Sequence, residues 1–338
     1  MTELPHPRRI ASQMSSAAFD SSALKAQERT LFLRKVREII INALLFLCGI
    51  VTVLTTIGII FALFSETISF FARPEVDLWH FLTGTTWRPT VTPAKPENFG
   101  ILPLINGTML IAVISMLIAV PIGVGSAIYL SEYAADRTRR IIKPVLEVLA
   151  GVPTVVYGYF AITAITPLIK TVVESLNSRG IGIEMDFFNA LSAAIVVGIM
   201  IVPMVASISE DAMRAVPRAL REGAYGLGAT KFEVATQIVV PAALSGIIAA
   251  FILAFSRAVG ETMAVTIAAG STPRMTLNPL SSVQTMTAFI VQVSFGDAPV
   301  GSINSQSIFA VGATLFVITF LMNLISDFVL RRFREEYD

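Results

Sequence analysis

The chain has one cysteine, two histidines and few charges. Among its 338 residues, Cys48 is the single thiol, His6 and His80 are the two imidazoles, and Asp, Glu, Lys and Arg together make up 14%. One thiol excludes an internal disulfide framework, and inside an apolar stretch Cys48 reads as a small buried hydrophobe. Both histidines lie outside the apolar stretches, and no His-Glu-x-x-His occurs. A metalloprotease-type centre therefore lacks its ligands, and a thiol nucleophile lacks a partner base. The phosphate loop Gly-x-x-x-x-Gly-Lys-Ser/Thr is missing too; the glycine-rich run Gly223 to Lys231 does not fit its spacing, so the chain has no such device for hydrolysing ATP. The net charge of +1 hides a strong asymmetry along the chain, and no nucleic-acid partner is expected. Soluble domains carry about 25% charged residues. With 54% apolar residues and a mean hydropathy of +0.73, this is instead an all-α, polytopic membrane protein.

Crossing a bilayer takes about 20 apolar residues. Six stretches qualify, near 39–65, 104–130, 145–168, 190–208, 242–269 and 306–330. A seventh, 283–295, is too short and carries Gln284 and Gln292, so it reads as an interfacial or re-entrant helix. Of the 25 Lys and Arg residues, 18 fall in the tail 1–38, the connections 131–144 and 209–241 and the C-terminus; the alternate connections hold 6. The positive-inside bias places both termini and the 209–241 loop in the cytoplasm. No short apolar core with a cleavage site precedes residue 38, so the first stretch reads as an uncleaved anchor. The expected divisions are an N-terminal arm, 1–38 (mobile, or a short surface helix), a first transmembrane helix, 39–74, a membrane body, 75–330, and a C-terminus, 331–338. The alternate connections are rich in Pro, Gly, Thr and Asn, which suits turns; they are either docking loops for an external partner or plain connectors. Pro121, Pro153, Pro167 and Pro203 fall within the spans. Each can kink a helix beside a cavity or moving part, or reflect ordinary proline use in membranes.

The 209–241 loop has its own local logic. Pro217 can open a helix over Arg218 to Tyr225, and Gly226 and Gly228 can stop it. Thr230 and Glu233 have the spacing of a capping box for a second helix, Lys231 to Ile238, and Pro241 then starts the fifth span. Tyr225, Leu227 and Phe232 are apolar knobs flanked by Arg221, Glu222, Lys231 and Glu233. Such a surface suits a partner's groove or, alternatively, lipid headgroups.

The fifth span carries a charge. Arg257 lies sixteen residues past Pro241, about 24 Å along a helix. An arginine in the membrane core costs roughly 2.5–3.5 kcal/mol on insertion scales, and such residues usually face a bundle interior or an aqueous path. On a continuous helix, Glu261 sits one turn on and can pair with it. A guanidinium fork matches an oxyanion, and Ser256, Thr262 and Thr266 can add hydroxyl donors. The pair reads either as a substrate-pathway site or as a structural salt bridge between spans.

Between the fourth and fifth stretches, Glu222-Gly223-Ala224, Gly228 and Ile238-Val239-Val240-Pro241 resemble the EAA coupling loop of ABC-importer permeases. Gly223 stands for the middle alanine of that pattern and Val240 for its leucine. Phe99 to Thr108 (FGILPLINGT), Tyr129 to Ala134 (YLSEYA), Gly151 to Gly158 (GVPTVVYG) and Arg257 to Ala264 (RAVGETMA) are similar to the PstC family of phosphate-specific ABC permeases. The resemblance covers about 75–330 and leaves out the first 38 residues. It implies the type I (MetI-like) importer permease fold with six transmembrane helices in a bacterial plasma membrane. It implies a heterodimeric pore with a PstA-like second permease, a PstB-like ATPase dimer that binds ATP and Mg, and a PstS-like external binding protein that delivers phosphate. Glu222, Gly223, Ala224, Tyr225, Gly228 and Phe232 would couple to the ATPase, and the chain itself would hold no cofactor. Molybdate or sulfate is the alternative cargo. A transporter working alone would need no such loop, and an intramembrane enzyme has no catalytic set.

Overall fold

The structure, a computed structural model, describes residues 21–91, 94–296, 298–299 and 301–333. Residues 1–20 of the expected arm and 334–338 of the expected C-terminus lie outside the described residues. Every regular element among the described residues is helical; the sole sheet-like contact is an isolated bridge between Trp87 and Phe99. The described residues divide into two units, 21–62 and 63 onward.

Helix α1 runs Ser21–Phe71 without a break, and its membrane-length part is Arg37–Phe71. Residues 21–38, expected within the N-terminal arm, form its first turns, and no Gly or Pro interrupts them. Cys48, expected as a buried hydrophobe, is exposed on this helix. The last turns belong to the second unit. There Phe64 meets Phe316 edge-on at 6.1 Å. Phe70 is fully buried against Phe81 and Phe99. Short α2, Leu78–Thr83, is capped by Asp77, whose carboxylate accepts from the His80 amide. A Cβ on Gly84 would lie 2.7 Å from the Gly100 Cα, so this turn closes only between two glycines.

Helix α3 spans Leu102–Tyr133 and finishes in a wide (π) turn, Tyr129–Tyr133, where the Ala134 amide donates to the Tyr129 carbonyl. Helix α6, Ala190–Ala215, is capped by Asn189 and packs along α3 through small residues. The Ser115 hydroxyl donates across the interface to the Ala194 carbonyl at 3.0 Å. A Cβ on Gly123 would lie 2.7 Å from the Val205 Cβ. Membrane helices associate by such close approach, since lipid supplies no hydrophobic drive between them. Gly123→Val should therefore part the helices and destabilise the fold by about 1–3 kcal/mol, read as a lower thermal midpoint in detergent. Gly125→Ala, where nothing lies within 4 Å, should not lower the midpoint, since alanine is the better helix former.

The stretch expected as the third span, 145–168, divides. Amphipathic α4, Asp136–Ala150, takes up its first residues, and the span itself is α5, Thr154–Asn177. Pro153, the N-cap of α5, lacks an amide and disfavours helix in the residue before it, so the chain must break at Gly151-Val152. The Tyr157 hydroxyl donates to the Leu149 carbonyl at 2.8 Å and ties the break together.

The fifth span is also interrupted. After α7, Arg218–Gly226, comes α8, Lys231–Ala242, which bends by 70° into α9, Leu244–Val259. The chain breaks again at Gly260 before α10, Met263–Ala268. The continuous helix expected over 242–269 does not form. Buried α11, Met286–Ser294, is the expected short seventh element, and α12, Ile303–Phe333, is the last span. Among the described residues, five helices can cross a membrane, or six with the bent pair counted as one.

Candidate coupling surface and intramembrane arginine

The loop between α6 and α9 folds largely as its local signals dictate. Pro217 is the N-cap of α7, and Gly228 sits at φ +86°, a left-handed geometry that glycine adopts without a Cβ penalty. The capping box closes: the Thr230 amide donates to Glu233 Oε2 at 2.7 Å, and the Glu233 amide donates to Thr230 Oγ1 at 3.3 Å. The second helix runs past Ile238 to Ala242, through a wide turn at Val234–Val239. Val234 and Val239 are buried with Ala127, Met213 and Ile247, which roots the loop on the ends of α3, α6 and α9. Above this root the knobs stand clear: Leu227 is 91% exposed, Phe232 68% and Tyr225 41%. Glu222, Gly223 and Gly228 are exposed as well, whereas Ala224 is half-buried on the root. The structure thus gathers the expected coupling residues at one end of the bundle, five of the six on its surface.

The expected Arg257–Glu261 pair does not form. Helix α9 ends at Val259, so the two residues do not share a helical face. Glu261 is buried, and its Oε1 accepts from the Ala264 amide at 3.1 Å, capping α10. Its carbonyl accepts from the Thr287 hydroxyl of α11. The candidate hydroxyls are also committed within the chain. Ser256 Oγ donates to Asn323 Oδ1 at 3.3 Å, Thr262 Oγ1 to the Gly260 carbonyl at 3.1 Å, and Thr266 Oγ1 to the Thr262 carbonyl at 2.6 Å. Arg257 is exposed in the last turn of α9 and makes no ion pair among the described residues. The C-terminal end of a helix dipole favours a cation there, and its fork remains available.

Two charge clusters escaped the sequence reading, which counted Arg139, Lys143 and Arg214 only toward orientation and took Arg221 as a flank of the apolar knobs. Glu210 of α6 is fully buried. Lys143 Nζ lies 2.9 Å from its Oε2, Arg214 is 3.8 Å from its Oε1, and Arg139 Nε is 2.8 Å from Oε1, though not aligned for a hydrogen bond. Lys143 also holds Asp211 at 2.6 Å. Burial disfavours the Lys143 ammonium, but hydrogen bonds from it to Asp211 and Glu210 outweigh that, and its pKa is raised. Nearby, Arg221 of α7 pairs with Glu132 at the end of α3. The only signal was the coincidence of acids and bases at one end of the bundle.

Residues 119–335 match the family model of the binding-protein-dependent transport system inner membrane component. The chain belongs to this family. The permease is 38% identical to the phosphate transport system permease protein PstC of Mesorhizobium japonicum over 75% of its own length and 78% of that protein's. It is 32% identical to the probable ABC transporter permease protein YqgH of Bacillus subtilis, with 88% and 93% of the two chains covered. Within the family it is therefore PstC-like. A chain of the bacterial alginate ABC transporter, solved with an alginate pentasaccharide-bound periplasmic protein, superposes with a TM-score of 0.58 at 14% identity, covering 88% of the permease and 96% of that chain. That likeness is one of fold, the type I ABC importer permease architecture; the family match and the relatives make the chain a multi-pass membrane permease.

Proposed function

We propose that the permease forms half of the transmembrane path of an ATP-driven inorganic phosphate importer and transmits work from a separate ATPase. Its partners are a PstA-like second permease, a PstB-like ATPase dimer carrying ATP and Mg, and a PstS-like binding protein outside. Both termini and the α7–α8 loop lie in the cytoplasm of a bacterial cell. ATP binding closes the ATPase dimer, the loop carries that movement into the spans, and phosphate passes the arginine before hydrolysis resets the path.

The observation that carries this reading is the uncovered guanidinium of Arg257 within an apolar helix. A charge left there must meet water, an anion or a neighbouring chain, and a planar fork suits a tetrahedral oxyanion. The PstC-named relatives favour phosphate among the oxyanions. The test is purification from native membranes, identification of the bound chains, and uptake by vesicles containing the recovered complex. The reading expects an ATPase and a second permease to co-purify and phosphate to be taken up in preference to sulfate and molybdate. Equal uptake of all three, or recovery of the permease alone, would overturn it.

A further inference from the structure

We propose that the Arg221–Glu132 pair is the positioning contact through which the coupling helix moves two spans together; this rests on the reading of the loop as an ATPase coupling element. A single guanidinium fastens three elements. Arg221, on α7, donates from Nη2 and Nε to Glu132 Oε1 at 3.1 and 3.3 Å. Its Nη1 donates to the Val216 carbonyl at 2.6 Å, and Nη2 also donates to the Met213 carbonyl at 2.7 Å. Glu132 lies in the wide turn that ends α3, and Met213 and Val216 are at the end of α6.

The arrangement is built for rigidity. The side chains of Arg221 and Glu132 are 15% and 6% exposed, so little water competes for the contact. Ser131 Oγ also donates to Glu132 Oε1, at 2.8 Å, and fixes the carboxylate. A planar fork that satisfies a carboxylate and two helix-end carbonyls at once has one geometry, unlike the freely rotating ammonium of a lysine. Beside it, the Glu210 cluster fastens α4 to the same end of α6. Apolar packing under the loop would let α7 slide, because dispersion contacts are not directional. The guanidinium does not allow sliding: displacing α7 must either pull the ends of α3 and α6 with it or break a nearly dry ion pair, which is costly. Glu222, beside Arg221 in sequence, is exposed and free to meet a partner while Arg221 faces inward.

The test uses the complete transporter, permease with its partners, reconstituted in vesicles, with phosphate uptake and ATP hydrolysis measured on the same sample. Absence of ATP-driven phosphate uptake by the wild type would count against the proposed function itself. Given wild-type uptake, Glu132→Gln and Arg221→Gln should assemble and keep hydrolysing ATP, while phosphate moved per ATP falls by about tenfold, the size of an ordinary coupling free energy between sites. Arg221→Lys should not restore the ratio, and the double variant should be no worse than Arg221→Gln alone, since that change already removes the whole contact with Glu132. A merely structural role would lower uptake and hydrolysis in step and leave the ratio unchanged. That result, unchanged uptake, or failure of the near-isosteric Glu132→Gln to assemble would overturn the inference.

Discussion

Arg257→Ala should abolish ATP-driven phosphate uptake, by about a hundredfold or more if the fork meets the anion only as it passes, while the transporter still assembles. The expectation of intact assembly comes from the structure. Among the described residues Arg257 makes no ion pair whose loss would strand a buried partner, and removing it lifts an insertion cost of roughly 2.5–3.5 kcal/mol. Arg257→Lys should fail as well, because a point charge does not reproduce the planar fork. Glu261 should behave differently. Its buried carboxylate accepts from the Ala264 amide at the start of α10, so Glu261→Ala should cost about 1–3 kcal/mol of stability by leaving a buried donor unsatisfied, whereas Glu261→Gln keeps an acceptor and should be milder. Uptake assays and thermal midpoints of the same preparations separate the two residues. Loss of the whole complex with Arg257→Ala would mean the arginine holds the subunits together rather than serving the cargo.

Phe232→Asp should release the ATPase. The side chain is 68% exposed on the permease, so an aspartate there leaves the permease fold untouched. In a groove it would be a buried, unpaired carboxylate. Hot-spot aromatics contribute about 2 kcal/mol or more to an interface, roughly a thirtyfold weakening of binding. Leu227→Asp, at the most exposed of the three knobs, should act in the same direction. The ATPase that co-purifies with tagged permease reports the effect, and uptake should fall with it. Full retention of the ATPase by both variants would show that the knobs meet lipid instead.

Local sequence signals were the most legible. The capping box at Thr230 and Glu233, the left-handed Gly228 and the Pro217 helix start all appear where the residues place them, because each depends on neighbours a few positions away. The spans were legible as apolar runs, but their interruptions were not. Residues 145–150 are apolar enough to pass for membrane, yet they form the end of α4, whose Lys143 and Arg139 turn to the buried Glu210. A run-length reading has no view of that distant acid. The break after Val259 was hidden for a related reason. Arg257 and Glu261 have helical spacing, and the carboxylate caps a second helix instead of closing the pair. The Arg221–Glu132 contact joins residues far apart in the chain, and no periodicity announces it.

The most direct measurement of the account is phosphate accumulation in vesicles holding the complete transporter and its binding protein, with and without ATP on the side of the α7–α8 loop. The account predicts accumulation against a gradient that needs ATP and disappears with Phe232→Asp. Phosphate that crosses equally well without nucleotide, or with that variant in place, would contradict it.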